Sequence, residues 1–220
     1  MPIQTILLTK NRRLYLLLGI CLWGAGMTGL LSNKFSAPVP INLPDSVPFN
    51  HVDLPDSPIF IDGDAQLASF CTQGEGTESN PYIIEHFRIN SSTTNGIDLR
   101  NTTKWVEIRQ CTIIGMNTSN VRGINLYNCS QVRLIGNNVS HNYDGISIDN
   151  CSTILTDENH CTFNKGAGIW IFRGNNHNLS YNNCSYNLHG ILLEKVNHSI
   201  IEQNTISNNG AWGLHGYYCD

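Results

Sequence analysis

The pair Gly-Ile recurs along the chain at Gly96-Ile97, Gly123-Ile124, Gly145-Ile146, Gly168-Ile169 and Gly190-Ile191, and Gly213-Leu214 extends the series, at steps of 27, 22, 23, 22 and 23 residues. A period this regular marks a solenoid, in which each repeat buries its apolar face only by stacking on its neighbours. Two asparagine columns share the period. Asn137, Asn159, Asn182 and Asn204 fall at steps of 22, 23 and 22, and Asn142, Asn164, Asn187 and Asn209 each follow five residues later. Between the columns lie small or branched apolar residues, Val139, Cys161, Cys184 and Ile206, preceded by Ile113 in the first full turn.

Each unit is too short for two helices and lacks their 3.6-residue spacing, whereas Ile-x-Leu and Ile-x-Ile alternation suits short strands. Stacked coils of such strands would turn Ile and Leu inward, each burial stabilising by roughly 1.5–3 kcal/mol. The ladder residues Asn137, Asn159, Asn182 and Asn204 would then sit at corners and satisfy backbone groups left open by the turns. The glycine before each strand is expected to supply a positive φ at a sharp corner.

The phrase Asn80-Pro81-Tyr82-Ile83-Ile84-Glu85 and rungs such as Gly145-Ile146-Ser147-Ile148-Asp149-Asn150-Cys151-Ser152 resemble the right-handed parallel β-helix proteins of pectin-lyase-like shape. The closest branch is that of the NosD-type repeats of exported prokaryotic proteins. The resemblance covers Pro81 to the C-terminus and implies an all-β, right-handed parallel β-helix solenoid of about six rungs. Its motif residues are structural, so it is specific for fold and says little about activity.

Ahead of the repeats, Lys10, Arg12 and Arg13 precede Leu14 to Leu31, a run of 18 residues without a charge. That exceeds a secretory apolar region of roughly 7–15 residues, and Ala37-Pro38 is a poor cleavage site, so an uncleaved anchor is favoured over a cleaved signal. The expected division is a cytoplasmic basic flank at 1–13, a transmembrane anchor or signal peptide at 14–31, and a Pro-rich tether at 32–57. An N-terminal cap follows at 58–80, with a strand at Ile59-Phe60-Ile61-Asp62-Gly63 and a short helix N-capped by Asp64. The β-helix then occupies 81–220 and stops mid-coil, because Cys219 falls as far past Gly213 as Cys129 falls past Gly123. This points to a fragment of a longer protein, or to an end-to-end contact at the uncapped rung.

Such a chain is expected on the cell membrane or secreted, with everything after Asn33 exported. Beyond Lys34 the exported part carries 9 basic against 17 acidic residues, which excludes a nucleic-acid partner. Of eight cysteines one lies in the apolar run, and the odd remainder is read as free thiols in a packed interior.

Residues two and four past each glycine are expected to face solvent on one strand face. Tyr127, Asp149, Trp170, Phe172 and Glu194 lie on it, mixing rings with carboxylates in the manner of a glycan-binding groove centred on the first four. The expected function is therefore a non-catalytic surface binding or scaffold module for glycans, without a cofactor. A polysaccharide lyase, hydrolase or epimerase is the alternative, with Asp98 and Asp149, read as sharing a column with a whole rung between them at about 10 Å, as its carboxylates. The densest carboxylate group, Asp144, Asp149, Asp157 and Glu158, is placed on different parts of the coil. The resemblance to NosD implies a further alternative, periplasmic copper maturation. His160, Cys161 and Cys184 are its candidate ligands, although the two thiols occupy an inward column and His160 points the other way.

Overall fold

The computed structural model describes residues 7–10, 13–16, 57–90, 93–115 and 120–219. The chain divides into two compact units, Met1–Phe49 and Asn50–Asp220. In the first, Leu7–Lys10 pairs antiparallel with Arg13–Leu16. The expected anchor at 14–31 lies outside the described residues from residue 17 onward, as does the tether at 32–57 except for its last residue. Among the described residues no helix is long and apolar enough to cross a membrane.

The second unit is an all-β right-handed parallel solenoid of about six turns built from three sheets. The first sheet stacks Ile59–Asp62, Ile97–Arg100, Arg122–Tyr127, Asp144–Ser152, Ala167–Asn175, His189–Asn197 and Leu214–Tyr217. The second stacks Tyr82–Glu85, Val106–Arg109, Val132–Ile135, Leu155–Asp157, Asn178–Ser180 and Ile200–Glu202. The third holds Arg88–Asn90, Thr112–Ile114 and Asn138–Ser140, and continues through single bridges at His160, Asn183 and Thr205. All pairings in this unit are parallel and in register, so like stacks on like: Ile97, Ile124, Ile146, Ile169 and Ile191 form one buried column, and Leu99, Leu126, Ile148, Ile171 and Leu193 the next.

The asparagine columns are hydrogen-bonded ladders. Asn159 Nδ2 donates to Leu134 O at 2.8 Å in the preceding turn and to Asn182 Oδ1 at 2.9 Å in the next, while its Oδ1 accepts from the backbone N and Nδ2 of Asn137 at 3.0 and 2.9 Å. Asn164 repeats the scheme with Val139 O and Asn142 on the preceding rung and Asn187 Oδ1 on the following one. Each amide thus ties the preceding and the following rung to its own, in a place where no water reaches.

The recurring glycines are needed for space, not for φ. None from Gly96 to Gly213 has a positive φ. A Cβ on Gly123 would lie 2.8 Å from Gly145 O and 2.9 Å from Asn142 Nδ2, and one on Gly168 would lie 2.7 Å from Asn187 Nδ2. The ladder amide and the next rung's backbone fill the volume a side chain would take. The left-handed corners fall on other residues: Asn101, Asn128, Asn150, Arg173 and Lys195 all have φ between 52° and 56° at the end of the first-sheet strand. Asparagine adopts this conformation most readily, which suits it to the first three of these corners.

At the N-terminal end a helix, Asp64–Phe70, buries Leu67 against the core. Its N-cap is Gly63 and not Asp64. The Asp64 carboxylate reaches forward instead, accepting from Thr102 Oγ1 at 2.6 Å and the Thr103 backbone N at 3.1 Å, and so clasps the helix to the following rung.

Two stability outcomes follow from this architecture. Asn159→Ala leaves several buried groups unpaired and should lower the unfolding free energy by roughly 3–5 kcal/mol, against about 1 kcal/mol for exposed Asn150→Ala, as read by denaturant titration. His177 is 2 % exposed, and burial pulls its pKa down to about 4 from 6.5. Because the unfolded chain takes up this proton first, the stability conferred by the neutral ring is complete above pH 6.5 and is lost as pH falls toward 4. The decrease in stability between pH 7 and pH 4 should therefore be about 3 kcal/mol smaller in His177→Asn than in the wild type.

Candidate functional site

The outer face of the first sheet carries three outward columns per rung: the residue before the glycine and those two and four after it. Register fixes their neighbours. Arg122 pairs with Asp144, Asn125 with Asp98 and Ser147, and Tyr127 with Arg100 and Asp149. Short side chains in the middle column leave a depression. Asn125 is 6 % and Ser147 2 % exposed, so the positions two past the glycine form a floor and do not project into solvent there. Arg100, Tyr127 and Asp149 rise on one side, Arg122 on the other, and Trp170 closes the end of a groove of about 180 Å³.

Three of the expected face residues, Tyr127, Asp149 and Trp170, line this groove. Phe172 lies beyond the lining, its ring centroid 6.0 Å from that of Trp170, and carries the guanidinium of Arg173 at 4.4 Å. Glu194 pairs with Phe172 and Tyr217, one strand further from the groove. Arg122 lies over the Trp170 ring at 5.5 Å, which sets a cation against the aromatic wall. Sequence reasoning missed Arg122 because the local bend that turns it outward has no sequence mark. Asn125 and Ser147 carried a signal that went unused: with Asp98 they are short polar residues in an outward column that otherwise holds Phe60, Trp170, Leu192 and His215.

The carboxylates differ in availability. Asp98 accepts from Asn95 Nδ2 at 2.9 Å, Arg100 Nε at 2.9 Å, Arg100 Nη2 at 2.8 Å and Asn125 Nδ2 at 2.8 Å. Burial works to raise its pKa, but the hydrogen bonds from Arg100, Asn125 and Asn95 outweigh it and hold the carboxyl below the ordinary range. Asp98 is thus a saturated brace for the groove wall. Asp98 and Asp149 also do not share a column: Asp98 stacks toward Asn125 and Ser147, Asp149 toward Tyr127 and Arg100.

Asp149 pairs with Arg173 at 2.8 Å and stays partly exposed. Asp144 is buried beside the groove, its carboxyl pushed up by that burial despite a 2.8 Å bond from the Ala167 backbone N and Arg122 at 3.9 Å. Asp157, on the second sheet, and Glu158 after it are away from this face.

The copper candidates do not converge. Cys161 and Cys184 are fully buried, and burial raises the Cys161 thiol well above its usual range, whereas His160 is exposed on the third sheet. Among the described residues no three His, Cys, Asp or Glu side chains could hold a metal ion, and all seven cysteines are free.

No curated protein sequence matches the chain. Among solved structures, a point mutant of the periplasmic alginate epimerase AlgG is similar at 21 % identity and a TM-score of 0.58, over 61 % of this chain and 32 % of that one. This chain therefore spans about a third of the epimerase's length, and at this identity the likeness is one of fold. The A-module of the Azotobacter vinelandii mannuronan C-5 epimerase AlgE4 matches at 11 % identity and a TM-score of 0.37, over 63 % of this chain and 49 % of that one. The family model described as the right-handed β-helix region matches residues 71–220, the length of the solenoid just described, and the chain belongs to that family.

Proposed function

We propose that the chain is an exported β-helix module that binds a polysaccharide in the first-sheet groove. The observation that carries this reading is the groove's chemistry. Trp170 and Tyr127 offer ring surface, Asn125 and Ser147 offer an uncharged hydrogen-bonding floor, and Arg100 and Arg122 place positive charge on opposite sides. Rings pack against the apolar faces of sugars, and polar groups between them fix orientation through hydroxyls. Arg100 is engaged by Asp98, but Arg122, 3.9 Å from Asp144, favours a sugar that carries a carboxylate, since guanidinium–carboxylate pairs are geometrically matched. The similar epimerase AlgG is named for a polysaccharide, alginate, and is periplasmic, which supports both the substrate class and export.

One observation favours a catalytic second reading. Asp144, whose carboxyl is pushed up by burial, sits against Arg122 at the groove's edge. A carboxyl tuned upward by burial beside a ligand groove is placed to deliver or accept a proton. Asp98, already saturated, is poorly suited to that role.

Binding of the full chain to a panel of neutral and uronate polysaccharides, recorded together with product release, tests both readings. Trp170→Ala should weaken uronate binding by roughly tenfold or more, and Arg122→Gln should weaken it further at low salt than at high salt. Absence of binding to every polysaccharide, or wild-type affinity in Trp170→Ala, would overturn the binding reading. Sugar release that Asp144→Asn abolishes while affinity is kept would establish the catalytic one.

A further inference from the structure

The third sheet presents a face unlike the other two. From Thr112 onward its outward column runs Thr112, Asn138, His160, Asn183 and Thr205, one residue per rung in parallel register. The column two residues later carries hydroxyls at Ser140, Thr162, Ser185 and Ser207, of which Thr162 and Ser207 reach the surface while Ser140 and Ser185 are buried beneath it. Neither column contains an Asp, Glu, Lys or Arg from Thr112 to Ser207. The first sheet, by contrast, carries the charged groove, and the second carries the Glu85–Arg109–Glu107 ion pairs at 2.7 Å.

Along the corner that follows this face runs a rib of parallel rings. His141 and Phe163 are 5.4 Å apart at 18°, and Phe163 and Tyr186 are 5.0 Å apart at 10°. Phe163 is 52 % and Tyr186 51 % exposed, so the rib is not core. All three residues hold left-handed φ values of 57–61°, while the equivalent corners one rung before and after are Gly115 and Asn208, residues that take this conformation more readily. Bulky rings have thus replaced easier residues on three successive rungs without gaining burial.

We propose that the third sheet is a second binding face, taking a neutral, hydroxyl-rich polysaccharide laid along the solenoid axis with the His141–Phe163–Tyr186 rib as its apolar border. Successive rungs are about 4.8 Å apart, a step comparable to one sugar in an extended chain, so a polymer meets a similar set of uncharged donors and acceptors at each step. An acidic polymer finds no cation on these two columns between Thr112 and Ser207, the exposed Arg88 that pairs with Thr112 lying one rung earlier, and a nucleic acid finds no basic stripe. A protein partner would call for an apolar centre and a polar rim, the reverse of this face, where the apolar groups form the edge. The proposal stands independently of the groove.

The test is co-sedimentation of the full chain with insoluble cellulose and chitin, at low and high salt. The wild type should pellet with at least one of them, and salt should change this little, because no ion pair is involved. Phe163→Ala/Tyr186→Ala should bind roughly tenfold more weakly while keeping its affinity for soluble uronate polymers. Asn138→Lys, which adds charge to the face and leaves the rib intact, should also weaken pelleting, and it keeps the test decisive if the double variant folds poorly by circular dichroism. No pelleting with either polymer, or pelleting that high salt abolishes, would overturn the proposal. Loss of pelleting in Trp170→Ala with none in the rib variants would also overturn it and assign neutral glycans to the groove.

Discussion

Each buried asparagine amide in this solenoid bonds the rung before its own and the rung after it, and this double duty constrains everything else. Asn159 can serve Leu134 O, Asn182 and Asn137 only if the rungs lie in register at a constant separation. Given that register, an inward side chain must match the shape of the one above it, which is why isoleucine stacks on isoleucine through five rungs of the first sheet. The glycine beside each ladder residue belongs to the same constraint, because the amide occupies the space its side chain would need. Amide, glycine and inward isoleucine form one unit, repeated.

Because the constraint acts inward, its residues are the ones that recur in sequence. The 22- and 23-residue steps, the strand positions and the family are all legible from Gly123, Asn137, Ile146 and their equivalents. What the repeats do not carry is the reason behind each residue. Glycine at a corner suggests a positive φ, yet here the left-handed corners belong to Asn128, Arg173 and others, and the glycine is set by close packing. Asp64 before a short helix looks like an N-cap, yet its carboxylate is drawn to Thr102, 38 residues away, by a contact that local pattern cannot reveal.

The outward face was legible only in part. Tyr127, Asp149 and Trp170 stand out as large or charged residues on outward positions, and the structure places them together around one groove. Arg122 was hidden, because alternation counted from the glycine assigns the preceding residue to the inward phase and the local bend reverses it. Asp98 and Asp149 looked like partners because both are outward carboxylates, but a two-residue offset along the strand puts them in different columns. Column membership is a matter of register to the single residue, and a one-residue error changes the face.

A solenoid of identical rungs would offer a smooth wall, so a site arises where an outward column departs from its own pattern. In the first sheet the departure is subtraction: two small polar residues, Asn125 and Ser147, stand in a column that ends in Trp170, Leu192 and His215, and the missing volume is the groove. Charge then decides which walls are free to act. Asp98 and Arg100 satisfy each other, with Asn95 and Asn125 completing the carboxylate, so that corner is rigid. Arg122 and Asp144, 3.9 Å apart, satisfy each other less fully. A ligand that offered Arg122 a closer carboxylate would compete directly with Asp144, and the two outcomes of that competition, an engaged arginine and a released buried carboxyl, would be produced by the same binding event. The groove's affinity and any proton chemistry at its edge are in this sense one coupled property, set by a single arginine.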